Sequence, residues 1–524
     1  MSRKKMQKEL FEAEREQRYL EATTKSNPSG EGSEGIEGRG LLPFVIQPDE
    51  EAASVTGRAG LPLVVEAFRG YRGDDLVRKH LKLKKRERGY SEVEMVEDFL
   101  LLLASGGEHL EDFTVLGEDE GLFRLLDRSA PSPDAARNFL LAFQDEKLLK
   151  AAQKAAEDAG ERSYVPEENV ALRGLGEINA ELVRRIAIPE LGTSATLDHD
   201  ATVIDSHKQE AKAHYKGGRG YQPVAVLWAE QDMVVADEFR DGNVPAGKDN
   251  LRLIQRAFQS LPEWVRERNF RSDSACYEEK VLRWLANPER EEGLGGHIGF
   301  TISADMSKEL HASCRAVLDS KSITEPDAPF WQMLDDTRAN ETAEWSEVEF
   351  SPGDWPKSAE PLRYLVIRFL KRQGGLFAQG EPCKYLAVVT NREGRGDQIV
   401  RWHWQKAGTI EHLHDETKNG LGAGVMPCAE FGANAAWYRL NMLTYNVLVA
   451  LKRRVLPPQQ QTVKAKRLRF LVFDLAARIT SHARTLYSHV KAATIQRLTL
   501  FEARRWLQRL RREIAHKPRV PIPV

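Results

Sequence analysis

Thr196–Ser206 reads TLDHDATVIDS, and the rest of the chain is best understood outward from it. Leu197, Val203 and Ile204 favour a β-strand across this stretch. Strand side chains alternate, so Asp198 and Asp200 project to one side while His199 and Ala201 face the other. Carboxylates on a buried strand are costly unless hydrogen bonds, a cation or a metal compensates them. The pair is therefore the seed of an oxygen-ligand metal site or, more plainly, a polar strand end.

Downstream, YQPVAVLWAE and MVVADEFRDGN are β-rich runs joined at Gln231-Asp232, as in a short hairpin. NLRLIQRAFQSLPEWV has the spacing of an amphipathic helix, and NFRSDSA reads as a short strand that delivers Asp273 at its end. EEKVLRWLANP predicts a second helix and HIGFTISAD a further strand. Three strands, a helix, a strand, a helix and a strand is the order of an α/β fold with an RNase H-like core. Its first part spans 190–304. Residues 305–395 interrupt it as a mainly β insertion subdomain, with RYLVIRFLKRQ and KYLAVVTN flanking a Gly-rich turn. The second part spans 396–452. There IVRWHWQKAGTIEHLHDETKNG reads as one helix, although Gly408 costs about 1 kcal/mol relative to Ala, and Gly420 suits its C-terminal cap. A long apolar helix follows at about Asn434–Lys452.

On the other side, residues 1–45 are charged and then rich in Gly, Ser and Glu, which predicts a disordered tail and linker. Residues 46–189 show apolar spacing of three and four with Ser/Pro breaks, the pattern of a helical domain. Its lysine- and arginine-rich stretch YRGDDLVRKHLKLKKRERGY suits either a phosphate backbone or a solvated helix face.

The 524 residues carry a net charge of −2 that hides an asymmetry. Leu451–Val524 holds 18 Lys/Arg against 3 Asp/Glu, a local +15, leaving about −17 on the rest. A basic helical region at 453–524 thus fits a polyanion. Within it Arg504, Arg505, Arg509, Arg511 and Arg512 interleave with Trp506, Leu507 and Leu510 as a basic amphipathic helix. Phosphate binding is one use for such a helix, and packing on an acidic part of the same chain is the other. Four scattered cysteines form neither a zinc pattern nor a disulfide scaffold. No apolar run is long enough to span a bilayer and no signal-peptide core opens the chain, so no membrane role and a cytoplasmic location are expected.

Taken in order, TLDHDATVIDSHK, YKGGRGYQPV, FRDGNVPAG, FRSDSACY and GANAAWYRLNMLTYNV resemble a bacterial insertion-sequence transposase of the DDE class, in the branch with a β insertion before the last acid. The resemblance spans about Gly57–Leu500 and includes GEHLEDFTVLGEDEGLFRLL in the helical region. It implies three carboxylates that hold two divalent cations. Asp200 is the first, because Asp-Ala-Thr resembles the family's Asp-x-Thr; Asp273 is the second; Glu411 is the third, because Glu411 and Lys418 match the branch's Glu, six residues, Lys spacing. Asp198 stays a rival or auxiliary metal ligand. Oxygen donors favour Mg²⁺ or Mn²⁺ over zinc. The resemblance also implies that the aromatic position, here Trp404, contacts a DNA end and that Lys418 contacts a phosphate. The family's Arg would fall at Ala407, which offers no such contact, and Lys406 is the neighbouring substitute. On a continuous helix Trp404, Glu411 and Lys418 would lie on one line, about 10 Å per step.

Other candidates are weaker. His207 and His214, near Asp205 and Glu210, have a metal-like spacing but sit among Lys208, Lys212 and Lys216, as in a solvated or DNA-facing loop. Gly217, Gly218 and Gly220 form no nucleotide loop. The function implied is metal-dependent cleavage at transposon ends and strand transfer into target DNA. Its partners would be double-stranded DNA, as terminal inverted repeats and target, and a second copy of the chain, in a nucleoid-associated setting. A catalytically silent DNA-binding derivative and a stand-alone metal-dependent nuclease are the competing functions.

Overall fold

The computed structural model describes residues 54–84, 88–291, 294–325, 327–337, 341–353, 355–356, 360–371, 383–491, 493–494 and 500–516. The expected tail and linker at 1–45 and the Gly-rich turn at 372–382 lie outside them. The helical region forms where the sequence places its stops and caps. Pro62–Gly70 (α1), Gly73–His80 (α2), Glu92–Ser105 (α3) and Val170–Ile186 (α4) are its main elements. Ser91 and Glu94 close a capping box on α3, satisfying backbone donors that would otherwise be unpaired. Ser132 caps the helix Pro133–Leu141, with Pro133 in the first turn, as the Ser-Pro break predicts.

Ser194–Ala201 (β1), Val224–Trp228 (β2), Met233–Glu238 (β3), Glu267–Ser272 (β4) and Ile298–Ala304 (β5) occupy one sheet in the order β3-β2-β1-β4-β5. β1, β2 and β3 form an antiparallel meander; β4 runs parallel to β1, and β5 parallel to β4. Asn250–Gln259 (α5) joins β3 to β4, and Glu279–Ala286 (α6) joins β4 to β5. Every residue of β2 and β3 is buried, which is why VAVLW and the first four residues of MVVADE read as apolar runs, while Asp237 and Glu238 are buried against arginines.

The expected strand is shorter than Thr196–Ser206. After Ala201 the chain leaves the main sheet, and Ile204–Asp205 pairs instead with Arg219–Tyr221 in a small three-stranded sheet. A Cβ on Gly220 would lie 2.0 Å from the Ile204 carbonyl oxygen, so this close pairing requires glycine.

Within 305–395, Gln332–Asp335 (β6), Glu341–Val348 (β7), Arg363–Lys371 (β8) and Cys383–Thr390 (β9) do not form a sheet of their own. β9 pairs antiparallel with β5 and carries the others outward, so the described residues form one nine-stranded mixed sheet. Gly396–Trp404 (α7) packs on these strands through Ile399 and Val400, against Leu334, Leu365, Ile367 and Val388.

Ile410–Gly420 (α8) and Phe431–Val455 (α9) follow. From Gly432 to Lys452 every residue of α9 is buried, because the helix lies between the sheet edge and the helical region. It touches β3, α1, α3 and α4. Asn446 completes the edge of β3: its Oδ1 accepts the Val234 N–H at 2.8 Å, and its Nδ2 donates to the Val234 carbonyl at 2.8 Å. Asn179 of α4 donates to the same carbonyl at 2.9 Å. Side-chain amides thus stand where a further strand would pair.

The basic C-terminal region is not wholly helical. Ala477–His482 (β10) and Thr485–His489 (β11) form a hairpin that pairs with Val55–Thr56. Leu500–His516 (α10) is the expected amphipathic helix, and it packs on α1.

Candidate active site

Asp198 and Asp200 lie on one face of β1, yet their surroundings differ. Asp198 is fully buried, and β4 brings Arg271 directly beside it in register. The guanidinium forms a fork, with Nε at 2.6 Å from Oδ1 and Nη2 at 2.8 Å from Oδ2. Thr409 Oγ1 donates to Oδ2 as well. Arg271 also donates to the Trp402 carbonyl at 2.7 Å and lies 4.9 Å from that ring's centroid, with Arg392 at 4.1 Å from the same centroid. Both oxygens of Asp198 are therefore held by protein groups.

Asp200 meets an ammonium instead. Lys406 Nζ is 3.0 Å from Oδ1, and His414 Nε2 is 3.4 Å from Oδ2 without making a hydrogen bond among the described residues. Burial pushes the Asp200 carboxyl up, but His414 and Lys406 outweigh it and hold the group at about 2. Asp273 follows β4 and opens a 3-10 turn, accepting the Ala275 N–H at 3.1 Å. Burial, reinforced by the Asp200 charge, raises its pKa above the usual range against the pull of Lys406. On the opposite face of β1, His199 contacts Ser272 and Cys276 at 3.2 and 3.4 Å, and burial lowers its pKa to about 3.

Glu411 is exposed in the first turn of α8. It shares a cleft of about 540 Å³ with Asp273, Lys406, Ala407, Trp404 and Lys384. The structure thus brings Asp273, Lys406 and Glu411 to one cleft, and Lys406 links it to Asp200. Among the described residues, no three acid, histidine or cysteine side chains stand close enough together to hold a metal as they are placed.

The single helix expected across Ile399–Gly420 is corrected. It breaks at Gln405–Gly408, a 3-10 turn, and restarts at Ile410. Gly408 weakens the helix there, and the contacts of Lys406 with Asp200 and of Thr409 with Asp198 fix the altered path. Trp404, Glu411 and Lys418 consequently do not share one helical line. Trp404 stacks on Phe369 of β8, with centroids 6.3 Å apart and planes at 29°. Lys418 turns to Thr202 Oγ1 and the Val203 carbonyl, at 3.2 and 2.6 Å.

In α10, Arg504 pairs with Glu66 at 2.6 Å and Arg511 with Asp74 at 2.6 Å, so these two arginines pack the helix on an acidic part of the same chain. Arg505, Arg509 and Arg512 are exposed. His214 is buried against Asp205 at 2.8 Å, whereas His207 and Glu210 are exposed. Sequence reasoning missed Arg271, Thr409 and Lys384. Arg271 carried a signal, since it precedes Asp273 by two residues just as Asp198 precedes Asp200, with the opposite charge. Lys384 carried none, because nothing in a β-rich run tells which cleft it borders.

Among solved structures, the chain is similar to piggyBac transposase in a synaptic complex with hairpin DNA, at 11% identity over 87% of this chain and 82% of that one, with a TM-score of 0.40. No curated protein matches it. The model of the family described as Transposase DDE domain group 1 matches residues 45–512. With a match across most of its length, the chain belongs to this family of DDE transposases.

Proposed function

We propose that this transposase cuts DNA at element ends with water and that the freed 3′-hydroxyl then attacks a target phosphodiester, joining the strands and releasing the target's 3′-hydroxyl, with Asp200, Asp273 and Glu411 as its acids on an RNase H-like core. The observation that carries the reading is the convergence on one cation: Lys406 reaches Asp200 while sharing a cleft with Asp273 and Glu411. The strand order β3-β2-β1-β4-β5, with acids at the ends of adjacent strands, supports the core assignment.

The donor set suits a hard divalent cation, Mg²⁺ or Mn²⁺, since it consists of carboxylate oxygens. Lys406 already places positive charge against Asp200, which fits a site built for cations. When bound, two such ions would activate the attacking oxygen and stabilise the leaving one. The chain's own groups do the rest. Lys406 exchanges Asp200 for a backbone phosphate, standing in for the arginine that Ala407 cannot supply. Lys384 and Trp404 line the path of the DNA end, and exposed Arg505, Arg509 and Arg512 track phosphates. Asp198 is structural in this reading, because Arg271 and Thr409 hold its oxygens. Lys418 positions the turn after β1. The reaction brings two ends together in a dimer and takes place where the DNA is, in the cytoplasm.

Ala407 favours one second reading, a DNA-binding derivative without catalysis. Incubation with Mg²⁺ or Mn²⁺ and a duplex carrying the presumed inverted repeat separates the two. Wild type should nick and join the duplex, whereas Asp200→Asn, Asp273→Asn and Glu411→Gln should bind without cutting. Binding without nicking by wild type would leave the silent derivative standing.

A further inference from the structure

The β10–β11 hairpin has a turn that its residues resist. His482 pairs with Thr485, so the loop is only Ala483 and Arg484, and both have left-handed φ, 48° and 60°. Two-residue turns of this kind favour Asn and Gly, because a Cβ is strained there. Strain in an exposed turn persists where the surroundings over-determine it, and often marks a functional segment.

The base of the hairpin is fixed. Ala477 and Ile479 are buried, and Ala477 and Arg478 pair with Thr56 and Val55. Gly121 lies so close beneath that a Cβ there would stand 2.0 Å from the Val55 carbonyl oxygen and 3.1 Å from Ile479 Cδ1. Beyond this base all of β11 is exposed, including Leu486 and Tyr487.

Cross-strand register sorts the two faces. Arg478 opposes His489, Thr480 opposes Tyr487 and His482 opposes Thr485, so these six side chains share the face away from Ile479. Thr480 Oγ1 and His489 Nε2 are 2.8 Å apart, and the Tyr487 and His489 rings stack at 6.4 Å. Arg484 stands at the tip. No acidic residue occurs from Leu475 to Phe501.

We propose that residues 477–489 form a β-ribbon that lies on duplex DNA, with Arg478, Arg484 and His489 toward phosphates and Tyr487 against the groove wall. A two-stranded ribbon fits the major groove, and its acid-free outer face complements the polyanion. The proposal draws on the transposase reading only for the class of partner. Edge pairing with a second copy is the rival occupant, since β11 is the outer strand. It is disfavoured because the edge is only five residues long and Arg484 flanks it at the tip, with no acid on either strand to offset that charge in a second copy.

Fluorescence anisotropy of the full chain on a labelled random-sequence duplex, titrated across salt, tests this. Arg484→Gly relaxes the turn, so its Tm should rise while its duplex affinity falls and the slope of log K against log salt drops by about 0.9. Adding Arg478→Ala should remove about as much slope again. Tyr487→Ala should weaken binding at all sequences with the slope unchanged. Wild-type affinity and slope in Arg484→Gly and in the double variant would overturn the ribbon while leaving the transposase reading intact. So would variants that bind normally but change oligomeric state in light scattering. A wild type that binds no random-sequence duplex would overturn the ribbon, and one that also fails to bind the inverted-repeat duplex would overturn both.

Discussion

Two acid–cation clusters sit on the same sheet and use the same ingredients to different ends. Around Arg439 of α9, the guanidinium donates to both oxygens of Asp237 at 3.2 and 3.1 Å, to Glu168 at 2.8 and 3.1 Å, and to the carbonyls of Leu172 and Asp237. Burial opposes its charge, but Asp237 and Glu168 hold its pKa above the usual arginine value. Around Asp200, the cation is a flexible lysine and the third acid, Glu411, is exposed across a cleft. Saturation makes the first cluster a structural tie between β3, α4's approach and α9. Incomplete satisfaction leaves the second able to change partners, which is what the proposed phosphodiester chemistry would require.

Removing a partner should therefore hurt the saturated cluster most. Arg439→Met leaves Asp237 buried without its cation and Glu168 with Arg256 alone, and breaking such a buried pair typically costs about 3–5 kcal/mol. Urea unfolding should show that loss, with every activity falling in proportion to the folded fraction. A change below about 1 kcal/mol would break the comparison.

Asp198→Asn comes next, because it tests whether β1 belongs to both types of cluster. The buried Arg271 loses its counter-charge and one bond of the fork, keeping, among the described residues, the amide oxygen and the Trp402 ring and carbonyl. The expected cost is about 3 kcal/mol, the low end of the range for a broken buried pair. Calorimetric Mn²⁺ titration supplies the contrast: binding should survive in Asp198→Asn and weaken sharply in Asp200→Asn. Unchanged stability with lost Mn²⁺ binding would make Asp198 a ligand.

The sequence revealed the strand–helix order through periodicity, and with it Asp273 at a strand end; Asp200 read as lying inside a strand that ran on to Ser206, whereas β1 stops at Ala201. Partner choice was hidden. A β-rich run such as RYLVIRFLK does not disclose which edge it joins, so the continuity of β9 with β5 could not be read from it. The break after Trp404 depends on Lys406 and Thr409 finding acids more than 200 residues earlier in the chain. Hairpin β10–β11 has β-branched and aromatic residues at Ile479, Thr480, Thr485 and Tyr487, but its Ala-Arg turn lacks the Asn or Gly that announces such a connection. Likewise, only the fold shows that Arg504 and Arg511 face Glu66 and Asp74.

Acid sharpens the comparison with a smaller effect. Burial pushes Glu168 up, but Arg439 and Arg256 lower it from 4.5 to about 2. A carboxyl with a depressed folded pKa stabilises the native state fully above its unfolded value, and that contribution fades as pH falls toward the folded value. Stability should thus decline from about pH 4.5 down to 2, and Glu168→Gln should flatten that limb in pH-dependent urea unfolding. A limb of undiminished depth in the variant would place the acid sensitivity elsewhere.

Glu411→Gln should have the smallest effect on stability, because the side chain is exposed at the start of α8. Unfolding free energy should change by less than about 0.5 kcal/mol. End cleavage should fall by more than the roughly 10–100-fold typical of losing a partner outside the ligand shell. The two readouts together make the contrast with Arg439→Met, where activity is lost only as the fold is lost. If Glu411→Gln cut normally, the third acid would have to come from elsewhere on the cleft wall. Glu341 of β7 borders the same space and would be the next carboxylate to replace.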